Sequence, residues 1–273
     1  GLMPYRYLDG VDITHSAHIS HLSLRSKLFV GTTTTELASY VGRESVKLED
    51  VAGLSFSLET FQWSLQYRYT SSRIASTSPS TEALASGIEG LAASVPGFET
   101  IWPNSNDTVD RLRLKGQAAD YTSLGGRYNW QSWSALAEVS RISTASNFNT
   151  VTTGYTSLIF HGQKYSLYGI YAATHTHLFD VASLGVDVAT LATIPGGTEL
   201  YAGVGANLNF YTTNQSTWSL GLRWNLSPKI ALKCQWDQTR IKEQGGVLWL
   251  NKDFTNQPKE TVNTLFTNVG FIF

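Results

Sequence analysis

The chain has 273 residues, enough for one large domain or two small ones, and its formal net charge of -1 and pI near 6.7 carry no electrostatic footprint for nucleic acid. Charged residues make up only 15%, and the single cysteine excludes an internal disulfide framework or a cysteine-cluster metal site. No apolar run of about 18 residues is present, so no transmembrane helix is expected. Gly1-Leu2-Met3-Pro4 has neither the basic start nor the apolar core of a signal peptide; for an exported protein that means a signal already removed or a chain beginning partway. The mean hydropathy of -0.13 suits a soluble protein, but strands with one polar and one apolar face reach the same value by cancellation.

In chain order, Gly10 to Gly31 reads as a strand pair around a short polar turn near His18-Ser20. Leu22, Leu24, Leu28 and Val30 share one face of its second arm, and His21, Ser23, Arg25 and Lys27 the other. Thr32 to Asp50 is polar and irregular and is expected to be a long loop. Leu54, Phe56 and Leu58 then alternate with Ser55, Ser57 and Glu59. After a tight turn at Thr60-Gln62, Trp63, Leu65, Tyr67 and Tyr69 alternate with Ser64, Gln66, Arg68 and Thr70, the clearest hairpin in the chain. Ser71 to Asp110 lacks strand alternation. Leu84, Ile88 and Leu91 have helical spacing within Thr81 to Ala93, and Pro96-Gly97 ends that helix. Insertions of this length are uncommon in compact domains unless functional, so residues 71–110 are a candidate pore constriction.

Arg111 to Asn129 reads as a long strand. Leu112, Leu114, Leu124 and Tyr128 share one parity, and Arg111, Arg113, Lys115, Gln117, Ser123 and Arg127 the other; Asp120 falls on the apolar parity. Trp133, Ala135, Ala137 and Val139 follow, opposite Ser134, Glu138 and Ser140, and then strands over Thr150–Phe160 and Lys164–Thr174. Two readings compete for His175 to Gln215. Leu200, Ala202, Val204, Ala206, Leu208 and Phe210 alternate as a strand would. Against that, Gly185-Val186-Asp187 through Ile194-Pro195-Gly196 echoes Gly87-Ile88-Glu89 through Val95-Pro96-Gly97, which favours two loops with short helices, the preferred reading. Trp218, Leu220, Leu222, Trp224 and Leu226 alternate up to the turn Ser227-Pro228. Ile230, Leu232, Cys234 and Trp236 then oppose Lys233, Gln235 and Asp237. A polar loop from Lys242 to Thr261 leads to a last alternating strand, Val262 to Phe273.

That last stretch, V-N-T-L-F-T-N-V-G-F-I-F, resembles the C-terminal signature of Gram-negative outer-membrane β-barrel proteins, whose last strand is read by the barrel-assembly machinery. The resemblance implies that role for Phe271 and Phe273. Ser219 to Asp237, S-L-G-L-R-W-N-L-S-P-K-I-A-L-K-C-Q-W-D, is similar to the C-terminal hairpin of gammaproteobacterial porin-like outer-membrane proteins, and Tyr7 to Asp12 looks like a strand start in the same group. The likeness is strong over the last fifty-odd residues and diffuse elsewhere. It implies a bacterial outer-membrane location, outer-membrane lipid as surroundings, passive solute passage and no catalytic residue.

The expected fold is therefore all-β: a single transmembrane antiparallel up-and-down β-barrel domain over 1–273. Short turns fall near residues 18, 61, 131, 162 and 227, giving 11–13 strands. Bacterial barrels have even strand numbers, so an odd count is expected to mean at least one preceding strand, within a barrel of about 12–16, or else an unrecognised strand that includes Gly1 to Leu8. With the aromatic parity facing lipid, the lumen receives Arg25, Lys27, Arg68, Arg111, Arg113, Lys115, Arg127, Arg223 and Lys233 against Glu59, Glu138 and Asp237. A lumen of one dominant sign concentrates opposite ions, so a porin-like channel with mild anion preference is the expected function. No G-x-S-x-G, P-loop or H-E-x-x-H is present, and no cofactor or metal is expected; His175 and His177 make a weak candidate pair. The alternatives are a plugged anchoring barrel that binds a partner through its loops, and a soluble β-sandwich or barrel binding protein. A homo-oligomer or another outer-membrane component is a candidate partner, but no residue marks a subunit face.

Overall fold

The computed structural model describes residues 7–39, 42–144, 150–242 and 259–271. Among these, eleven strands form one antiparallel sheet in which every strand pairs with its sequence neighbour, the wall of an up-and-down β-barrel. They are β1 (Asp9–Ile19), β2 (Leu22–Ser39), β3 (Gly42–Glu59), β4 (Trp63–Ile74), β5 (Ala118–Trp130), β6 (Trp133–Thr144), β7 (Val151–His161), β8 (Tyr165–Thr176), β9 (Asn214–Ser227), β10 (Ile230–Ile241) and β11 (Glu260–Phe271). Turns of two or three residues join them at one end of the sheet, and all the longer connections lie at the other. Ser20 and Gln131 take positive φ, 56° and 50°, in the two-residue turns β1–β2 and β5–β6, where a hairpin must reverse within two residues.

The register follows the period-2 pattern. Leu28↔Leu54, Leu54↔Tyr69, Tyr67↔Leu124, Leu124↔Val139, Tyr171↔Trp218 and Trp236↔Leu265 are directly opposite pairs, so one face is apolar from β2 to β11. As the sequence implied, the last strand Glu260–Phe271 pairs with Ile230–Ile241, and Leu265, Val269 and Phe271 join that face while Phe266 turns to the other. The apolar face is exposed: Trp218 is 54% exposed and Leu220 59%. The opposite face is crowded, with Ser123, Ser134, Ser140, Ser157 and Ser219 buried, as expected on the concave side of a curved wall.

The segment Thr32 to Asp50 is not a loop. β2 and β3 each run for 18 residues, against 11 to 14 in the other strands, and pair along this stretch. The register slips between Gly31 and Thr33 on β2, and Asp50, at φ 52°, is the extra residue of a β-bulge on β3. The inserted residue reverses the parity. Leu54, Phe56 and Leu58 face outward below the bulge; Val46 and Leu48 face inward above it. There they form a buried cluster with Phe29, Val51, Ile74 and Leu114. The expectation missed this because the apolar residues change sides at Asp50.

The two long insertions are helical. The first holds α1 (Pro79–Ser94), α2 (Phe98–Ile101) and α3 (Ser105–Leu112); the second holds a short 3-10 turn (Val181–Leu184), α4 (Val188–Leu191) and α5 (Gly197–Leu208). The strand reading of Leu200–Phe210 is overturned: Leu200, Val204 and Leu208 also recur every four residues, and that period is the one used. The echoed Pro-Gly pairs are matching turns. Gly97 and Gly196 have φ 74° and 77°, Phe98 N donates to Val95 O and Gly197 N to Ile194 O, and each turn opens a helix. The two insertions then share one core of Ala85, Ile88, Phe98, Ile101, Trp102, Val109 and Leu112 with Leu184, Leu191, Val204 and Leu208. α1 and α5 meet reciprocally: a Cβ on Gly87 would lie 3.0 Å from Leu200, and one on Gly203 3.1 Å from Leu84.

Candidate functional site

The inward face of the sheet is the candidate site. The register places Arg25 and Lys27 (β2), Glu59 (β3), Arg68 (β4), Arg127 (β5), Glu138 (β6), Arg223 (β9), and Lys233 and Asp237 (β10) on that face. Arg111, Arg113 and Lys115 are a correction. Arg111 closes α3, Arg113 caps it and Lys115 lies in the turn before β5, so none stands on a strand. Arg111 lies 5.7 Å over the Phe179 ring, and Arg113 bridges Glu82 (3.3 Å) and Glu89 (2.8 Å) on α1. These carboxylates hold the Arg113 guanidinium pKa above its ordinary value, Glu89 contributing most. Leu114, expected on the lipid parity, is instead the buried residue that pins the first helical insertion to the inner wall.

Asp12 was missed. It lies inward on β1 and bridges Lys27 at 2.9 Å, and the alternation of Val11 and Ile13 around it was the available signal. Glu260, opposite Ile241 on β11, is inward as well, so the set on the sheet becomes six basic groups against five acidic ones, far from nine against three. How the arginines are held matters more than the count. Arg68 Nη2 donates to Gln66 Oε1 (3.1 Å), Arg127 Nε to Asn129 Oδ1 (3.0 Å) and Arg223 Nε to Asn225 Oδ1 (3.2 Å). Each guanidinium is oriented by a neutral amide two residues away on the same strand. Its direction is fixed and its charge is not cancelled.

Two aromatic rings lie flat against this face because glycines leave room. A Cβ on Gly53 would stand 2.3 Å from Phe29 Cζ, and one on Gly221 2.1 Å from Tyr168 Cζ. Tyr168 thereby reaches across β9 to donate to Gln235 Oε1 (2.8 Å). Gln235 Nε2 donates in turn to Asp237 Oδ1 (2.8 Å), and Lys233 Nζ sits 5.4 Å over the Tyr168 ring.

One inward cluster resembles a hydrolytic arrangement and is wired against it. Asn129 Oδ1 already accepts from Arg127, so it also accepts the hydroxyl hydrogen of Ser134 (2.9 Å). His161 Nε2, 2.9 Å from Ser134 Oγ, must then donate to that oxygen, the reverse of a general base. His175 and His177 stack edge to face at 4.8 Å, and among the described residues no group of three or more His, Cys, Asp or Glu is placed to hold a metal.

The outward face completes the picture. Outside β2 and β3, the acidic and basic strand residues on it, histidines apart, are Asp9, Arg73, Asp120, Arg141 and Arg240, and all lie at the long-loop ends. Asp120, which stood out on the apolar parity, accepts from Tyr69 Oη at 3.2 Å there. Below this rim the band is largely apolar, interrupted by the opposed pair His15 and Ser26 and by Thr156 and Thr267. Rings gather toward both edges: Trp133 and Phe160 (5.0 Å) with Tyr165 at the short-turn end, and Tyr171 against Trp218 (4.7 Å) toward the loops.

A curved antiparallel wall with a polar, ionisable inner face and an apolar outer band is the class of architecture these observations define. No family model and no curated protein matches the chain. Among solved structures, the FrpB iron transporter of Neisseria meningitidis (F5-1 variant, apoprotein form) aligns over 97% of this chain and 42% of its own, at 9% identity and a TM-score of 0.43. The NanC porin aligns over 97% and 99%, at 7% identity and a TM-score of 0.35. Pseudomonas aeruginosa OccD3 (OpdP) aligns over 97% and 69%, at 10% identity and a TM-score of 0.39. The chain thus spans about two-fifths of the length of the FrpB transporter.

Proposed function

We propose that the chain forms a porin-like channel of the bacterial outer membrane that passes small hydrophilic solutes and ions by diffusion, with a mild preference for anions. One observation carries the reading: the sheet is inside out relative to a water-soluble one. Its strand Trp side chains and most of its Leu side chains point outward, and its buried serines and the Asp12–Lys27 ion pair inward. An apolar outer band of this extent needs a hydrophobic environment to cover it. Strands of 11 to 18 residues meet the roughly 9–11 that a tilted transmembrane strand requires. The confinement of outward charge to one rim fits a cost of roughly 2–4 kcal/mol for a cationic side chain at the bilayer midplane. The expected surroundings are outer-membrane lipid. The assembly machinery would read the terminal strand through Phe271; Phe273 lies outside the described residues.

Support for anion preference comes from Arg68, Arg127 and Arg223, whose charge is oriented but not cancelled. Planar-bilayer recordings across a salt gradient test both levels of the claim. The expected result is stepwise conductance with a reversal potential of the anion-selective sign, reduced in Arg68→Gln/Arg127→Gln/Arg223→Gln. Clear cation selectivity overturns the preference. A folded protein with no conductance overturns the open channel and supports the second reading, a plugged barrel, which the shared core of the two helical insertions favours.

A further inference from the structure

At the short-turn end, the β7–β8 turn and β9 to β11 line an open cavity of about 730 Å3, within the roughly 300–1,000 Å3 typical of small-molecule sites. Its charged lining is entirely basic: Lys164 from the β7–β8 turn, Arg223 from β9 and Lys229 from the β9–β10 turn. Gln163, Asn225 and Ser227 add polar groups, and among the described residues no Asp or Glu lines it. These cations belong to three different segments, so the cavity gathers charge that the chain disperses elsewhere.

The charge is also unrelieved. Arg223 stands directly opposite Lys233 in the β9–β10 ladder, and like charges in that position repel. Among the described residues, neither makes a salt bridge. Lys233 leans over the Tyr168 ring, and Arg223 spends only its Nε, on Asn225. Among the described residues both terminal nitrogens of the guanidinium therefore remain available, the geometry that grips a phosphate or carboxylate through two parallel hydrogen bonds. A structural role would place a carboxylate here, as Asp12 is placed beside Lys27 and Glu82 and Glu89 beside Arg113.

We infer that this cavity is a binding site for a phosphate-bearing anion, with Arg223 as the bidentate ligand and Lys164 and Lys229 closing on the remaining oxygens. The inference deepens the channel reading and rests on it only for access from the lumen. The phosphate has two sources, a soluble phosphorylated solute or the headgroup of an anionic lipid reaching the wall's short-turn edge.

The test uses the full chain folded in an uncharged maltoside micelle at low ionic strength, with inorganic phosphate as probe in equilibrium dialysis. Saturable binding is expected, weakened at least tenfold in Arg223→Gln and in Lys164→Gln/Lys229→Gln. It should be unchanged in Lys47→Gln, whose partner Glu49 lies above the bulge at the far end of the wall. The double variant alters turn residues and keeps the test valid if Arg223→Gln folds poorly. Binding that never saturates, or that persists undiminished in the double variant, overturns the site. Repeating the titration in phosphatidylglycerol and phosphatidylcholine nanodiscs separates the sources. Weaker phosphate binding only in phosphatidylglycerol assigns the site to a headgroup, and equal binding assigns it to a soluble anion. Dialysis does not depend on conductance, so a protein that binds phosphate but passes no current would remove the channel reading and leave the site standing.

Discussion

Replacing Trp102 by alanine should open the helical unit and leave the barrel wall intact. Trp102 is fully buried where the two insertions meet, with its ring 6.2 Å from Phe98 and edge-on to Tyr201 at 5.9 Å. Truncating a buried Trp to Ala costs about 3–5 kcal/mol, and the lost aromatic pairing is included in that range or adds up to ~1 kcal/mol. The helices pack mainly on one another, so the loss should fall on their own opening equilibrium rather than on global unfolding. Native-state hydrogen exchange read by mass spectrometry should show peptides from 79–112 and 181–208 exchanging on the order of a hundred- to several-thousand-fold faster, with strand peptides unchanged. Trp102→Phe is the informative companion. Trp102 Nε1 is buried without a partner among the described residues, so phenylalanine keeps much of the packing while removing an unsatisfied donor, and should cost far less. Equal acceleration in β4, β5, β8 and β9 would refute the separation of cap from wall, and unchanged helical peptides would refute the shared core. If the unit narrows the mouth, the alanine variant should also conduct more.

Other outcomes follow from the same geometry. Gly221→Val should displace Tyr168 and break its bond to Gln235, costing about 1–3 kcal/mol in urea unfolding followed by tryptophan fluorescence. Gly169→Val, where a Cβ meets nothing nearer than 3.6 Å, should shift the midpoint little. Leu124→Arg, in the middle of the outward band, should cost about 2–4 kcal/mol in folding into liposomes; an unchanged folding yield would argue against a lipid-facing surface. Asp187 caps α4 by accepting from Thr190 Oγ1 (2.6 Å) and N (3.1 Å), and these bonds, the hydroxyl's foremost, hold its pKa below the ordinary 3.8. A lowered folded-state pKa means the carboxylate stabilises the second insertion above 3.8 and loses that contribution as pH falls through the lower value. Protection factors for 181–208, corrected for intrinsic exchange, should drop in that window, and Asp187→Asn should flatten the drop.

The strand faces were legible because a wall with two environments writes itself as period 2. Leu54 to Leu58, Trp63 to Tyr69 and Trp218 to Leu226 all fell on the side the register later assigned. Three stretches were harder for distinct reasons. Arg111 to Lys115 imitates a strand because Leu112 and Leu114 happen to alternate with basic residues. The face actually buried is Ser105, Thr108, Val109 and Leu112, a helical spacing half made of hydroxyls and so faint on any hydrophobic scale. Leu200 to Leu208 satisfies periods of 2 and 4 at once; only the echoed Pro-Gly turn separates them. The inward phosphate cavity draws Lys164, Arg223 and Lys229 from separate segments, a coincidence in space with no trace in spacing.

The bulge at Asp50 has a consequence for how this protein can change. Below it, an outward side chain such as Leu54 or Phe56 is exposed and packs in no fixed seat; above it, Val46 and Leu48 sit in a packed seat against Leu114. Deleting that one residue would leave the reading frame of the gene intact and shift the frame of the surface. Val46 and Leu48 would swing outward, and Ser45, Lys47 and Glu49 would be driven into the seat. The seat holds Leu114, the root of the helical unit, so losing this single residue would untie that unit from a point more than sixty positions downstream while altering no residue within it.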